Sequence, residues 1–474
     1  MLKSIRLLLI LWLVIICKIQ SQQCNTLFFM HSVPQSNFIN PAIQSECRWF
    51  IGLPVLSTFH LNIANSGFTV NHLLEEYEEG TFSLDTENLV KKLGNRNYFS
   101  SELYTNLLAI GHKIKNYYFT FSIRERNEFI LFYSKDLFAL GWRGNTQFED
   151  DRISLKGTGI QFNHLREYAI GVSKKYDDNN TFGIRGKLLF GKLNFNTRKS
   201  TGDLYTEENT FNLTFNTDVT LNASLPLSVE VSPSDIFNLT DDYYTSPYDL
   251  IMNRRNWGFA VDAGFISEYD DKITISGSVL DLGFIYYRSN LTNYNVEGDF
   301  FYDGPLGDTI DTENYLEDIL NTFTVGSNIT TNPYIYIIQP KILLGASYKL
   351  NEKINFGALI SSKIYKQKFQ SGLTLSANSR FANYFTMSLS WSYINRSINN
   401  LGFGMAIGRS PVQFYIISDN VPGMIWLQST KNINIRFGLS INFSCFRKEK
   451  IEDCGCYWLR EAEERRERNR RLLK

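Results

Sequence analysis

From Leu103 to Phe443 the chain repeatedly sets apolar against polar residues at period two, the pattern of a β-strand with two unlike faces. Ile433, Ile435, Phe437, Leu439, Ile441 and Phe443 alternate with Asn432, Asn434, Arg436, Ser440 and Asn442. Phe385, Met387, Leu389, Trp391 and Tyr393 oppose Thr386, Ser388, Ser390 and Ser392. Tyr117, Phe119, Phe121 and Ile123 oppose Tyr118, Thr120, Ser122 and Arg124. Phe182, Ile184, Leu188 and Phe190 oppose Gly183, Arg185, Lys187 and Gly191. Phe211, Leu213, Phe215, Val219 and Leu221 oppose a face of Asn, Thr and Asp. Short polar turns at Lys115-Asn116, Asp177 to Asn180, Asp270-Asp271 and Asn351-Glu352 link such runs as antiparallel hairpins. About fourteen strands are predicted between Leu103 and Phe443.

Alternation alone does not say which face meets a core. A soluble sandwich and a membrane barrel share it, with the apolar face inward in the first and toward lipid in the second. Composition separates them. Aromatics are 15% of the chain, with 36 Phe and 26 Tyr against only 11 Pro. A barrel has a place for them on its lipid face and in its interfacial girdles. Strand number and length point the same way. The expected fold is all-β: a transmembrane antiparallel β-barrel of about 14 strands, with a mixed N-terminal segment and a short C-terminal helix.

The start of the chain carries an export signal. Lys3 and Arg6 precede the apolar run Leu7 to Cys17, Lys18 ends it, and Ser21 is small enough for cleavage. Residues 1–21 are therefore expected to be a signal peptide, and the run is too short to span a bilayer comfortably. Ile16 before Cys17 argues against a lipoprotein. Residues 22–100 read as a mixed segment in which Asp85 caps a short helix ending at Gly94. That segment is a plug, a lid on the periplasmic mouth, or the source of one or two further strands. The barrel is expected over 101–446. Ser228 to Arg255 and Tyr287 to Pro333 interrupt the alternation and are assigned to extracellular loops, the second with a helical pattern from Thr312 to Phe323. Residues 447–474 form a charged tail. Glu461–Arg465, Glu464–Arg468 and Glu467–Arg471 are i,i+4 pairs in the favourable order, which makes the tail a helix, either solvated or docking a periplasmic or surface protein.

Chemistry is scarce. Lys and Arg together number 48 and Asp and Glu 48, so no charge excess draws the chain to nucleic acid. The expected partner is outer-membrane lipid. There are only five His, no nucleophile elbow, no phosphate loop and no zinc-protease motif. No catalytic residue, cofactor or metal site is expected, and the chain is not read as an enzyme. Cys24, Cys47, Cys445, Cys454 and Cys456 remain once the signal is removed. Export permits disulfides among them, and five is odd. Arg124, Arg185, Lys187 and Arg436 fall on polar faces. They are the candidates for charge in the lumen, either shaping solute passage or neutralised by carboxylates of the wall or plug.

The segment "SVPQSNFINPAIQ", followed by "FIGLPVLSTFHLNIANSGFTVNHLL", resembles the start of an uncharacterised outer-membrane barrel family of Bacteroidota. "GHKIKNYYFTFSIRER", "LREYAIGVSKKY" and "YIISDN" continue the resemblance over most of the chain. The Asn40-Pro41-Ala42 opening is similar to that of PorP/SprF-like barrels associated with type IX secretion, and the architecture more distantly resembles FadL-type transporters. The resemblance implies an outer-membrane barrel of about fourteen strands and no defined activity. Locally, Pro41 restricts Asn40 and should fix a turn at the chain's entry to the barrel. The polar lumen fits poorly with a path for long hydrocarbon chains. The expected function is a channel or transporter for small solutes. The alternative is a structural anchor or an accessory component of a type IX secretion or surface apparatus.

Overall fold

The computed structural model describes residues 25–78, 81–143, 148, 150–208, 212–225, 253–302, 327–365, 368–382, 384–394 and 397–445. The signal segment, the tail from 447, Cys24, Cys454, Cys456 and the helical pattern at 312–323 lie outside these residues. Among the described residues no helix is long and apolar enough to cross a membrane.

The strands run in chain order as β1 Cys47–Gly52, β2 Phe59–Asn65, β3 Leu74–Glu78, β4 Thr81–Leu84, β5 Arg96–Ile114, β6 Tyr117–Ser134, β7 Arg152–Ser154, β8 Gly159–Lys175, β9 Asn180–Thr206, β10 Leu213–Ser224, β11 Trp257–Glu268 and β12 Ile273–Tyr287. They continue as β13 Leu291–Tyr302, β14 Ser327–Thr330, β15 Tyr334–Ile337, β16 Lys341–Lys349, β17 Ile354–Tyr365, β18 Lys368–Ala382, β19 Phe385–Ile394, β20 Ser397–Gly408, β21 Val412–Ser418 and β22 Asn432–Cys445. Each barrel strand pairs antiparallel with its neighbours, and β22 returns to β1 and β2, so the sheet closes as a 14-strand barrel. Closure leaves no edge with unpaired amides, which is what allows strands to lie in hydrocarbon.

The wall begins at Cys47 rather than near residue 101. β1 and β2 occupy one position between β5 and β22, interrupted by Leu53 to Thr58. Pro54 and the positive φ of Val55 break the ladder there, so the sequence shows no long alternating run. The helix predicted after Asp85 is present at Thr86–Lys92, and the Asp85 side chain accepts the Asn88 amide at its start.

β9 is 27 residues long, far beyond the 9–11 that a crossing requires. Asn180 to Phe190 pair with β11 in the barrel, whereas Asn194 to Thr206 pair with β10. β10 pairs with β13, and β13 with β14. These strands extend the sheet past the bilayer. The expected loop Tyr287 to Pro333 is thus partly strand, and the described part of the run at 211–222, from Leu213, is part of this extension rather than of the barrel wall.

One end of the barrel carries the short turns at Lys115-Asn116, Asp177–Asn180, Asp270-Asp271 and Asn351-Glu352. The other carries the long connections. By the usual asymmetry the first end is periplasmic. β1 starts and β22 finishes at that end, where Cys47 and Cys445 form a disulfide. Outward-facing Phe182, Ile184, Leu188, Phe259, Leu282, Leu375, Leu389 and Leu401 are exposed. Inward-facing Ser388, Ser390, Ser392, Asn432, Asn434 and Ser440 are buried. The apolar face therefore looks outward. A lipid-facing exterior around a polar interior is the arrangement of a membrane barrel.

Candidate functional site

The lumen is filled from the periplasmic half by the chain's own Asn25 to Ser45. Leu27, Phe28, Met30, Val33 and Ile39 are buried there against Leu280, Leu343, Leu359, Ala406, Tyr415 and Ile417 of the wall. The wall makes room with glycine. A Cβ on Gly345 would stand 2.5 Å from a ring carbon of Phe28, and one on Gly183 would stand 2.3 Å from the backbone of Pro41.

Polar bonds fix the segment at several heights. Thr26 donates its amide and its hydroxyl to Asp419 Oδ1 at 2.9 and 2.6 Å, and Asn434 donates to Asp419 Oδ2 at 3.1 Å. Gln35 donates to the Ser57 carbonyl, and Ser278 donates to the Ile39 carbonyl. At the periplasmic rim Arg380 binds Glu46 through two bonds of 2.7 Å, and Arg409 lies 3.1 Å from the same carboxylate. Such bidentate pairs fix orientation as well as charge.

Asn40, Pro41 and Ala42 do make a turn. The Asn40 side chain accepts the Ala42 amide at 3.0 Å and donates to the Phe265 carbonyl of β11. The turn lies inside the lumen, against Gly183 and Gly264. It seats the plug on the wall some residues before the first strand begins.

The four lumen cations predicted from sequence are all buried or nearly so, and three of them belong to one network. Arg185 donates to Asp262 at 3.2 Å and to the Asn37 carbonyl of the plug at 2.7 Å. Lys187 lies 2.8 Å from Asp262 and 2.6 Å from Asp281. Arg124 donates to Asn106 at 2.9 Å, lies 3.9 Å from Glu167, and stacks over the Phe38 ring at 4.6 Å. Arg436 is 8% exposed and joins Arg124 and Lys187 at the wall of one cavity.

The sequence reading missed the rest of the network. Arg126 is 2% exposed and reaches Glu128 at 2.9 Å, Asp281 at 2.9 Å and Glu167 at 3.3 Å. Lys363 lies 2.6 Å from Glu102, and Lys341 lies 4.0 Å from it. Tyr104 donates its one proton to Glu128 at 2.6 Å, with Glu102 3.0 Å from the same hydroxyl. The clue was parity: Arg124, Arg126 and Glu128 share the inward face of β6, as Glu102 and Tyr104 share that of β5. Asp262 follows parity too, sharing the inward face of β11 with Gly258 and Ala260, whereas Asp281 escapes it because β11 and β12 shift register beside it.

This network surrounds a cavity of about 70 Å³. Phe38 and Ile39 of the plug line it from one side, and Arg124, Arg126, Lys187, Lys341, Lys363 and Arg436 line it from the wall. It lies on the extracellular side of the plug: Gly345 and Gly357 touch plug rings, and Lys341 and Lys363 are farther from the periplasmic end of the same two strands. Still farther out, Tyr287 stacks on Tyr334 at 5.2 Å, and these hydroxyls donate to Asn163 and Asn194.

Cys47 and Cys445 form the one bridge present among the described residues. No group of three or more His, Cys, Asp or Glu among the described residues is arranged to hold a metal ion.

A family model described as "Family of unknown function (DUF5723)" matches residues 41–419. Comparison with curated proteins gives no match. Among solved structures the chain is similar to a Pseudomonas aeruginosa FadL homologue, with 11% identity and a TM-score of 0.39 over 90% of this chain and 100% of that one. The Pseudomonas putida toluene transporter TodX gives 9% identity and a TM-score of 0.37, over 90% of this chain and 95% of that one. The translocator domain of the autotransporter NalP from Neisseria meningitidis gives 10% identity and a TM-score of 0.30, over 83% and 88%. Likeness at this level carries nothing about substrate.

Proposed function

The chain belongs to the family described as DUF5723, of unknown function, and from that premise we propose that this outer-membrane β-barrel is a plugged channel or transporter for small solutes. The observation that carries the reading is the interior. A barrel that served only as an anchor has no need of a polar lumen lined with ionic groups, since burying charge is costly unless it is paired. Here the ionic groups surround a cavity, and the obstruction beneath them is a separate segment of the chain, held by an apolar cluster, hydrogen bonds and ion pairs rather than by strand pairing. Such a segment can shift without breaking the ladder of the wall.

The polarity of the lumen supports polar rather than hydrocarbon solutes. What the toluene transporter carries is a property of that protein. The secretion-apparatus alternative leaned on the resemblance at Asn40-Pro41-Ala42 and on residues 447–474, which lie outside the described residues, and no observation here favours it.

The test is passage. Purified protein in planar bilayers, and proteoliposomes in a swelling assay, are expected to show low conductance that rises when the plug is loosened. Absence of conductance and of solute entry, in both the native protein and a plug-loosened variant that keeps its barrel, would refute the reading.

A further inference from the structure

The cavity beside the plug carries more positive than negative charge. Its lining includes six cationic side chains and one carboxylate, Asp281. Among the described residues, the groups that pair with this lining add Arg185 as a seventh cation against Glu102, Glu128, Glu167, Asp262 and Asp281. Adding Asp419, whose oxygens are taken by Thr26 and Asn434, still leaves the cations in excess.

Cations gathered in a buried space are costly unless an anion meets them. The wall carboxylates are already engaged: Lys187 and Arg126 share Asp281, and Lys363 holds Glu102. Arg124 lies 3.9 Å from Glu167, and Lys341 lies 4.0 Å from Glu102. Both border the cavity. A volume of about 70 Å³ exceeds the ~10–15 Å³ that one water requires, so it has room for a few waters or one compact ion. Guanidinium and ammonium groups converging on such a space match the geometry of carboxylate and phosphate oxygens.

We propose that this cavity is a binding site for a compact oxyanion, which, resting on the transport reading above, makes the solute class anionic. The bound ion sits between Arg124 and Lys341, against the plug surface at Phe38 and Ile39. It meets the cationic lining and lies directly on the extracellular side of the obstruction.

Inorganic phosphate and acetate, each titrated calorimetrically into the full-length protein in detergent with chloride as the background anion, test the site. Saturable binding of either oxyanion is expected, and the stronger one identifies the source. Arg124→Gln and Lys341→Gln should each weaken it at least tenfold. Ser361→Asp, which adds a carboxylate to the same lining, should abolish it even if the first two variants fail to fold. A folded barrel that binds neither oxyanion would overturn the proposal. Binding that survives all the folded variants would do so as well. A protein that conducts solutes yet binds no oxyanion loses this site and keeps the transport reading. One that binds phosphate and passes nothing keeps the site and loses transport.

Discussion

Replacing Asp419 with Ala should release the plug while leaving the barrel closed. Thr26 directs two donors at one carboxylate oxygen, the amide at 2.9 Å and the hydroxyl at 2.6 Å, and both are buried. A hydrogen bond to a charged group contributes about 1.5–3 kcal/mol net, so the pair contributes about 3–6 kcal/mol to seating the plug. At about 1.4 kcal/mol per decade, the ratio of seated to unseated plug falls by roughly 10² to 10⁴. The wall loses less, because the β21–β22 ladder from Val412 to Ile417 does not pass through the Asp419 side chain. A reporter follows the plug directly. Ser36 is 0% exposed in the middle of the segment, so Ser36→Cys adds a nearly isosteric thiol that is shielded while the plug is seated. Cys24, Cys454 and Cys456 are changed to Ser in that background. Labelling of the reporter by a water-soluble maleimide is expected to accelerate by at least a hundredfold in Asp419→Ala, with single-channel conductance rising in parallel. Asp419→Asn, which can still accept one bond, should fall between. A labelling rate unchanged in Asp419→Ala, in protein that still runs as a folded barrel on unheated gels, would refute the view that this carboxylate seats the plug.

Three further outcomes are expected. Arg126→Leu removes the common partner of Glu128, Glu167 and Asp281 and should cost about 3–5 kcal/mol in urea unfolding; adding Glu128→Gln should restore part of that, and an additive double variant would argue against a coupled network. Leu389→Arg, on the exposed outer face, should cost about 2–4 kcal/mol in lipid, and stability equal to the parent would mean that this face does not meet hydrocarbon. Cys47→Ser with Cys445→Ser should lower stability by about 2–4 kcal/mol, and the parent should lose a similar amount in reductant while the variant loses none.

Much of the barrel was legible in the sequence. The period-two runs at 117–124, 182–191, 385–393 and 432–443 became β6, β9, β19 and β22, and the polar pairs between runs became turns. Which face looks outward was also legible, because Phe, Leu and Trp crowd one parity while Ser, Asn and Thr hold the other. The first wall strand was not. It is split around Pro54 into two pieces too short to show a period. The run at 211–222 alternates as well as any other, yet β10 lies beyond the bilayer, because alternation reports two faces and not which neighbour a strand takes. The plug was one of three readings of residues 22–100. Its seating depends on Gly183, Gly264 and Gly345, whose closeness in space no spacing in the chain reveals. One carboxylate of the lumen, Asp281, was hidden for a related reason. Leu280 and Asp281 are both buried although adjacent, since Asp281 takes a positive φ at a register shift.

The bridge between Cys47 and Cys445 also bears on what a cut in the chain would do. It spans 398 residues of sequence and joins the first wall strand to the last, so the whole wall is one covalent ring from which the plug hangs as a short tether. Linear barrels come apart into two pieces when a single peptide bond in a turn is cleaved and the sheet is unfolded. Here one nick in any turn of the wall opens the ring into a line and frees nothing, so that two cuts, or one cut and a reductant, are needed to lose a strand. Closure of the ring also requires β22 to have reached β1, which makes the oxidised bridge a chemical record that the last strand has met the first.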